Sequence, residues 1–178
     1  EQPRDRMHDR TVRRAELAKI AQWGVAGIKV DFFHSDKQDG IARYLDILAD
    51  AAEHRIMVNF HGCTVPRGWT RTWPHLMTME GVRGAETYIF DEQFPAVAPR
   101  HNTILPFTRN AVGPMDYTPV TFSDNRYPHL TTRGHELALA VVFESGLLHF
   151  ADSDRSYRSL LPEAAGVLSR VPATWDET

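Results

Sequence analysis

The stretch Gly27-Ile28-Lys29-Val30-Asp31-Phe32-Phe33 constrains this chain more than any other. It reads as a buried strand that delivers a carboxylate at its end. Apolar residues alternate with Lys29 and Asp31, and residues two apart on a strand face the same side. In a parallel α/β sheet or barrel, chemistry is placed at the carboxyl ends of the strands. Asp31 is therefore the first candidate for a reactive group. Position alone equally allows a capping aspartate that opens the next helix.

The flanks support a strand in an α/β setting. Thr11 to Trp23 carries Val12, Leu17, Ile20 and Trp23 at helical spacing, with Gly24 as a stop signal. The arginines between Arg4 and Arg14 alternate with Asp5, Asp9 and Glu16, which predicts a solvated helix face. After the strand, Ser35 or Asp36 is a plausible N-cap for a helix with Ile41, Tyr44, Leu45, Leu48 and Ala52 inward. Ile56 to Phe60 predicts a second strand, running into His61-Gly62, and Leu76 to Glu80 a third. Between them, Cys63 to Pro74 reads as a long functional loop, broken by Pro66, Gly68 and Pro74.

The later chain predicts an irregular segment to Arg100 and a short strand at Thr103–Phe107. A turn-rich run to Pro119 follows, then a helix over Arg133–Ser145 and a strand at Leu147–Phe150. One more helical stretch lies near Pro162–Ser169, before a tail ending Trp175-Asp176-Glu177-Thr178. The five strand candidates end at Asp31, His61, Glu80, Arg109 and Asp152. Polar groups at one pole of parallel strands describe the active face of a (β/α)8 TIM barrel. Five strands cannot close one, so the expectation is α/β with a partial barrel whose earlier strands lie outside this chain. The start at Glu1-Gln2-Pro3, without Met, fits a piece of a longer protein.

Composition narrows the function classes. The chain has 178 residues, a formal charge of -3 and 42% hydrophobic residues, as in an ordinary soluble domain. It has no basic patch to suggest a nucleic-acid partner, no apolar run long enough to span a membrane and no visible signal peptide. The single cysteine, Cys63, excludes an internal disulfide and a cysteine-based zinc site. It has no evident partner base, so a thiol nucleophile is not expected. Neither a glycine-rich phosphate loop nor a nucleophile elbow is present.

The carboxylates carry the chemistry. Asp31, Glu80 and Glu86 lie at or just past strand ends, and Gly81 and Gly84 allow a bend that brings the two glutamates towards one pocket. Glu80 and Glu86 as plain surface residues remain an equal alternative at this point. Paired carboxylates are the equipment of glycoside hydrolysis. Three together repel unless a cation neutralises them, and oxygen-only ligation favours calcium. Lys29 and His61 are natural donors to sugar hydroxyls or to a carboxylate. His61 has no second ligand at a helical metal spacing, which argues against zinc. His135 and His149 read as structural or exposed. Trp69 and Trp73 suit either stacking on a sugar or packing of their own loop.

Taken together, several runs resemble glycoside hydrolase family 97. They are Gly27-Ile28-Lys29-Val30-Asp31-Phe32, Val58-Asn59-Phe60-His61-Gly62, Pro66-Arg67-Gly68-Trp69 and the run Met77-Thr78-Met79-Glu80-Gly81-Val82-Arg83-Gly84-Ala85-Glu86. Leu105-Pro106-Phe107-Thr108-Arg109-Asn110, Pro114-Met115-Asp116-Tyr117-Thr118-Pro119 and Pro172-Ala173-Thr174-Trp175-Asp176-Glu177-Thr178 continue the resemblance in register. It implies a calcium-dependent exo-α-glycosidase, secreted or periplasmic, with an N-terminal β-sandwich, a central (β/α)8 barrel and a C-terminal β domain. Residues 1–178 would then be the second half of that barrel, strands four to eight, and the remaining domains of the parent chain its partners.

The resemblance also implies a branch. In the family's inverting α-glucosidases a glutamate follows the strand-five histidine and serves as base, and the strand-four carboxylate is absent. Here Gly62 occupies the first position and Asp31 the second. This matches the retaining α-galactosidase-like branch, acting on an oligosaccharide or α-galactoside. By that likeness Asp31 is the nucleophile and Glu86 the general acid/base. Glu80 and Glu86 are calcium ligands, with a further ligand in the N-terminal domain, and Lys29 and His61 contact substrate. Glu86 must be protonated in the first step, whereas an adjacent calcium favours its ionised form. The alternatives are an inverting α-glucosidase of the same family and a catalytically silent carbohydrate-binding fragment.

Overall fold

Alternation in the strands and a helical stripe between them build a parallel βαβ unit around one aromatic core. A computed structural model describes residues 7–124 and 126–174. The chain divides into two units, Glu1–Gly81 and Val82–Thr178. The expected start at Glu1-Gln2-Pro3, the charged residues Arg4 and Asp5, and the family-like tail Trp175–Thr178 lie outside the described residues.

In the first unit, α1 (Arg10–Gln22) precedes β1 (Gly27–Val30), and α2 (Gln38–Glu53) leads to β2 (Met57–Phe60). A single 3-10 turn (Trp69–Arg71) lies before β3 (Leu76–Met79). The strands are parallel in the order β1-β2-β3, with Val30 opposite Phe60 and Phe60 opposite Met79. Those three side chains are buried, with Tyr44, Ile47, Leu48 and Ala51 of α2 against them. The buried stripe of α2 thus runs through 44, 47, 48 and 51, while the expected Leu45 and Ala52 face outward. Phe33 stacks on Tyr44 at 3.8 Å, and Phe60 meets both rings edge-on. Trp69 tilts onto Tyr44 at 5.2 Å and Trp73 packs on the same core, so both tryptophans serve the packing of their loop.

The expected solvated face of α1 is corrected by Arg13, which is 1% exposed. A buried guanidinium is costly unless paired and hydrogen-bonded. Asp50 of α2 meets that need: Arg13 Nε donates to its Oδ2 at 2.7 Å, while Arg14 Nη1 donates to Oδ1 at 2.9 Å. Arg13 Nη1 also donates to the Met7 carbonyl at 2.9 Å. The buried residues of α1 are therefore Arg13, Glu16, Leu17 and Ile20, so Glu16 also leaves the expected solvated face, and the expected Val12 and Trp23 are exposed.

The second unit contains no extended strand among its described residues, which corrects two expectations. Thr103 and Ile104 close α3 (Phe94–Ile104), and Leu105–Phe107 form a 3-10 turn. Prolines at 95 and 99 make this segment read as irregular, yet Pro95 sits in the first turn, where no intrahelical N–H is needed. Burial of Phe94, Ala98, Asn102 and Leu105 at helical spacing decides the outcome. At Leu147–Phe150 the backbone is held by a side chain instead of a ladder: the His149 N–H donates to Asp116 Oδ1 at 3.0 Å. Arg109 and Asp152 consequently do not end strands. The remaining helices are α4 (Arg133–Val142), α5 (Asp154–Arg158) and α6 (Pro162–Leu168).

Candidate active site

The register of the sheet gathers the predicted groups of the first unit. The ladder continues one residue past each strand, with the His61 N–H donating to the Val30 carbonyl and the Glu80 N–H to the Phe60 carbonyl. Asp31, His61 and Glu80 are therefore neighbours across the sheet, on the face opposite Val30, Phe60 and Met79. One layer below, Lys29, Asn59 and Thr78 share that polar face. Asn59 and Thr78 are almost completely buried. The alternation Val58-Asn59-Phe60-His61 carried the signal for Asn59, but only the register reveals its partners.

Gly62 ties this polar edge together. Its N–H donates to Glu80 Oε2 at 2.7 Å, and its carbonyl accepts from the Phe33 and His34 amides at 3.1 and 3.3 Å. Its φ is +51°, and a Cβ there would stand 2.8 Å from Asp31 Oδ1. Asp31 Oδ1 also accepts from the Phe32 N–H at 2.7 Å, and Lys29 Nζ lies 3.5 Å from Oδ2. Phe32 and His34 have positive φ, an uncommon conformation for bulky residues that clusters at functional sites. His61 is fully buried, with Nδ1 3.6 Å from Glu80 Oε1. Asp31 is thus a fixed carboxylate in an irregular turn, and it caps no helix: α2 starts at Gln38 with Lys37 as its N-cap.

Glu86 belongs to the second unit, half-buried in the 3-10 turn Ala85–Ile89. That turn is docked through the Ala85 N–H, which donates to the Tyr117 carbonyl at 2.9 Å. The approach requires Gly84, since a Cβ there would sit 2.5 Å from the Tyr117 oxygen. Glu86, Tyr88, Thr121 and His129 line one cleft.

Two further carboxylates organise this unit: Asp116, to which the sequence assigned no role, and Asp152, expected as a strand end. Asp116 is fully buried and grips His149 twice, through its backbone N–H and through Nδ1 at 2.6 Å. His149 is accordingly an oriented imidazole, its side chain 45% exposed. Its partner is 33 residues away, beyond the reach of a spacing argument. His135 pairs with Asn102 at 3.0 Å, in keeping with a structural histidine. Asp152 accepts from the Phe122, Ser123 and Ser153 amides and from the Ser123 and Ser156 hydroxyls. Partial burial pushes its carboxyl up, but these hydrogen bonds outweigh that and hold it down to about 2.

Known proteins resemble this chain over most of its residues. A sequence profile described as Glycoside hydrolase 97 matches residues 5–82. A probable retaining alpha-galactosidase of Streptomyces bingchenggensis is 44% identical over 162 residues, 91% of this chain and 24% of that protein. A retaining alpha-galactosidase of Bacteroides thetaiotaomicron is 33% identical over 89% of this chain and 25% of its own length. A solved beta-arabinopyranosidase superposes with a TM-score of 0.91 at 35% identity, covering 97% of this chain and 29% of its own. A family 97 enzyme from Pseudoalteromonas sp. strain K8, solved with acarbose and with panose, superposes with a TM-score of 0.80. It is 28% identical, over 94% of this chain and 29% of its own. This chain spans about a quarter of the length of the curated relatives it matches. A polar, parallel strand-end edge and these likenesses over most of its residues lead to one conclusion: the chain belongs to glycoside hydrolase family 97.

Proposed function

We propose that the parent protein is a retaining exo-α-glycosidase that removes terminal α-galactosyl groups by double displacement. The contact between Asp31 and Gly62 carries this reading. A carboxylate stands at the end of β1, and the backbone beside it leaves no space for a side chain at 62. A glutamate base there, as in the inverting branch, would collide with Asp31. Two curated relatives named as retaining alpha-galactosidases support the same branch.

In the first step an Asp31 carboxylate oxygen bonds to the anomeric carbon. The bond from that carbon to the glycosidic oxygen breaks, and the Glu86 carboxyl proton passes to the departing oxygen. In the second step the Glu86 carboxylate takes a proton from water, whose oxygen bonds to the anomeric carbon as Asp31 leaves. Two inversions return the α configuration. This chemistry needs the two carboxyl groups about 5–5.5 Å apart. Lys29 binds sugar hydroxyls and orients Asp31 from 3.5 Å, while His61, expected to contact substrate but fully buried here, acts on Glu80 from 3.6 Å.

The family likeness implies calcium, and the donor chemistry of this chain suits it. Glu80 and Glu86 offer hard carboxylate oxygens. The Gly62 N–H orients the Glu80 carboxylate through Oε2 at 2.7 Å. These two glutamates would hold the ion, which when bound would polarise sugar hydroxyls. Chelation should lower turnover and added calcium restore it, with Glu80→Gln raising the concentration required.

We also read residues 1–178 as the second half of a (β/α)8 catalytic barrel flanked in the parent by β domains, with β1 to β3 as its strands four to six. Three consecutive parallel strands with their polar groups at the carboxyl ends support that placement.

A second sugar is favoured by the likeness to a beta-arabinopyranosidase. L-Arabinopyranose carries the galacto pattern of ring hydroxyls without the exocyclic hydroxymethyl group. Proton NMR of an aryl α-galactoside being hydrolysed by the full-length enzyme tests the mechanism. α-Galactose should appear first, and β-galactose appearing first would overturn double displacement. Hydrolysis of the arabinopyranoside alone would change the sugar and keep the mechanism.

A further inference from the structure

Glu86 sits in a turn of five residues, too short to set its own orientation. Two contacts within the second unit hold that turn. The first is the hydrogen bond from Ala85 to the Tyr117 carbonyl. The second is the ring of Tyr88, which is 4% exposed and stacks on His129 at 3.9 Å with 29° between planes. Phe94 meets the same ring edge-on at 4.9 Å. His129 is in turn fixed from outside: Asp124 Oδ1 accepts from its backbone N–H at 2.8 Å and from its Nδ1 at 3.1 Å.

The stack is retained at a cost. Tyr88 Oη and His129 Nε2 are both buried with no hydrogen-bond partner among the described residues. An apolar pair of similar size would avoid leaving polar atoms unsatisfied. A filler of the core does not need an imidazole anchored by a carboxylate. An element that must hold one rotation of a neighbouring turn does, because one carboxylate oxygen fixes both the backbone and the ring of His129. His129 and Tyr88 line the cleft that Glu86 also lines.

The geometry points to His129 as a positioning residue for Glu86: its ring, gripped by Asp124, holds Tyr88 and so fixes the turn that presents the general acid/base. The inference rests on the role proposed for Glu86. A misplaced Glu86 slows the second step for every substrate, where it acts as base, but slows the first only where the leaving group needs its proton. In that first step, substrates whose leaving group departs unprotonated should therefore tolerate a loosened turn, and those with a basic leaving group should not.

The test compares His129→Ala with the unaltered full-length enzyme on two α-galactosides, a 2,4-dinitrophenyl and an alkyl one. The comparison is made on kcat/KM, which reports the first step alone. For the alkyl substrate it should fall on the order of ten- to a hundredfold. For the dinitrophenyl substrate it should change by only about twofold, its leaving group needing no general acid. His129→Phe, which keeps a ring against Tyr88, should recover most of the alkyl activity. Should His129→Ala fail to fold, His129→Leu fills the space without an aromatic face and carries the same comparison. An equal loss on both substrates, no loss on either, or a Phe variant as poor as Ala would overturn the proposal. Glu86→Gln separates the two levels. If it shows no leaving-group dependence, the role of Glu86 fails. If it does and the His129 variants do not, only the positioning role fails.

Discussion

A β-carbon on Gly62 would stand 2.8 Å from Oδ1 of Asp31 and 2.8 Å from the Phe32 nitrogen, while the φ of +51° already disfavours any side chain there. The glycine and the carboxylate are two halves of one arrangement, brought side by side by the parallel pairing of β1 with β2. Gly62→Ala should therefore displace Asp31 as well as strain the backbone. The left-handed conformation costs an L-residue about 1–2 kcal/mol. A shift of about 1 Å at a reacting group costs on the order of a hundredfold in rate. Steady-state kinetics beside chemical denaturation separate these effects. A Gly62→Ala enzyme with full turnover would dismiss the steric coupling.

External nucleophiles distinguish the two carboxylates by the product each variant releases. Asp31→Gly should lose on the order of 10⁴-fold in turnover. Azide should rescue it by attacking the anomeric carbon from the vacated side, yielding a β-galactosyl azide. Glu86→Gln should lose about 10²- to 10⁴-fold. With an activated substrate, azide then intercepts the Asp31-linked intermediate and yields the α-azide. Mass and NMR analysis of the azides reads the outcome directly. A β-azide from the Glu86 variant would exchange the assigned roles.

The Asp152 carboxyl predicts an acid-sensitive second unit. Its folded value of about 2 lies below the ordinary 3.8. A depressed carboxyl stabilises the fold fully above the unfolded value, and that contribution is lost as pH falls through the folded one. Urea midpoints should therefore drop between about pH 4 and pH 2, and Asp152→Asn should flatten that portion of the curve. Above pH 5 the variant should be uniformly less stable, since Ser123 and Ser156 lose a charged acceptor. An unchanged acid slope would show that another group governs it.

Much of the first unit was legible because local patterns and tertiary demand coincide there. Val58 and Phe60 fill the core face and Asn59 the other, and in β3 a register shift at Met77 sets Leu76 and Met79 on the core face and Thr78 on the polar one. Asp31 and His61 follow from alternation, and Glu80 from that pattern with its shift. Arg13 was not legible, because charge spacing along α1 says nothing about an aspartate 37 residues later. In the second unit the same limit applies more widely. His149 owes its place to Asp116, and the Leu147–Phe150 segment owes its backbone satisfaction to the same carboxylate. β-propensity predicts a ladder there, and a side chain supplies the acceptor instead. Phe94–Ile104 shows the converse, a helix hidden by two prolines: Pro95 sits in the first turn, and the interior Pro99 is accepted because burial of Phe94, Ala98 and Asn102 outweighs the hydrogen bond it removes.

The Arg13–Asp50 pair makes the last prediction, and it concerns α1 packed on α2. Both side chains are at most 2% exposed, and Arg13 contacts Oδ2 through Nε and Nη2, each at 2.7 Å. Burial pushes the Asp50 carboxyl up, but the Arg13 and Arg14 guanidinium groups hold it below the usual carboxylate range. Removing Asp50 leaves the Arg13 charge buried without its carboxylate, which costs about 3–5 kcal/mol. Asp50→Ala should lower stability by that order in chemical denaturation, and Arg13→Ala by less, because Arg14 still pairs with Asp50 at 2.9 Å. Replacing both by leucine removes the stranded charge, so the double variant should recover much of the loss. Additive losses in the double variant would mean that the two side chains act separately, and that α1 is held by Leu17 and Ile20 alone.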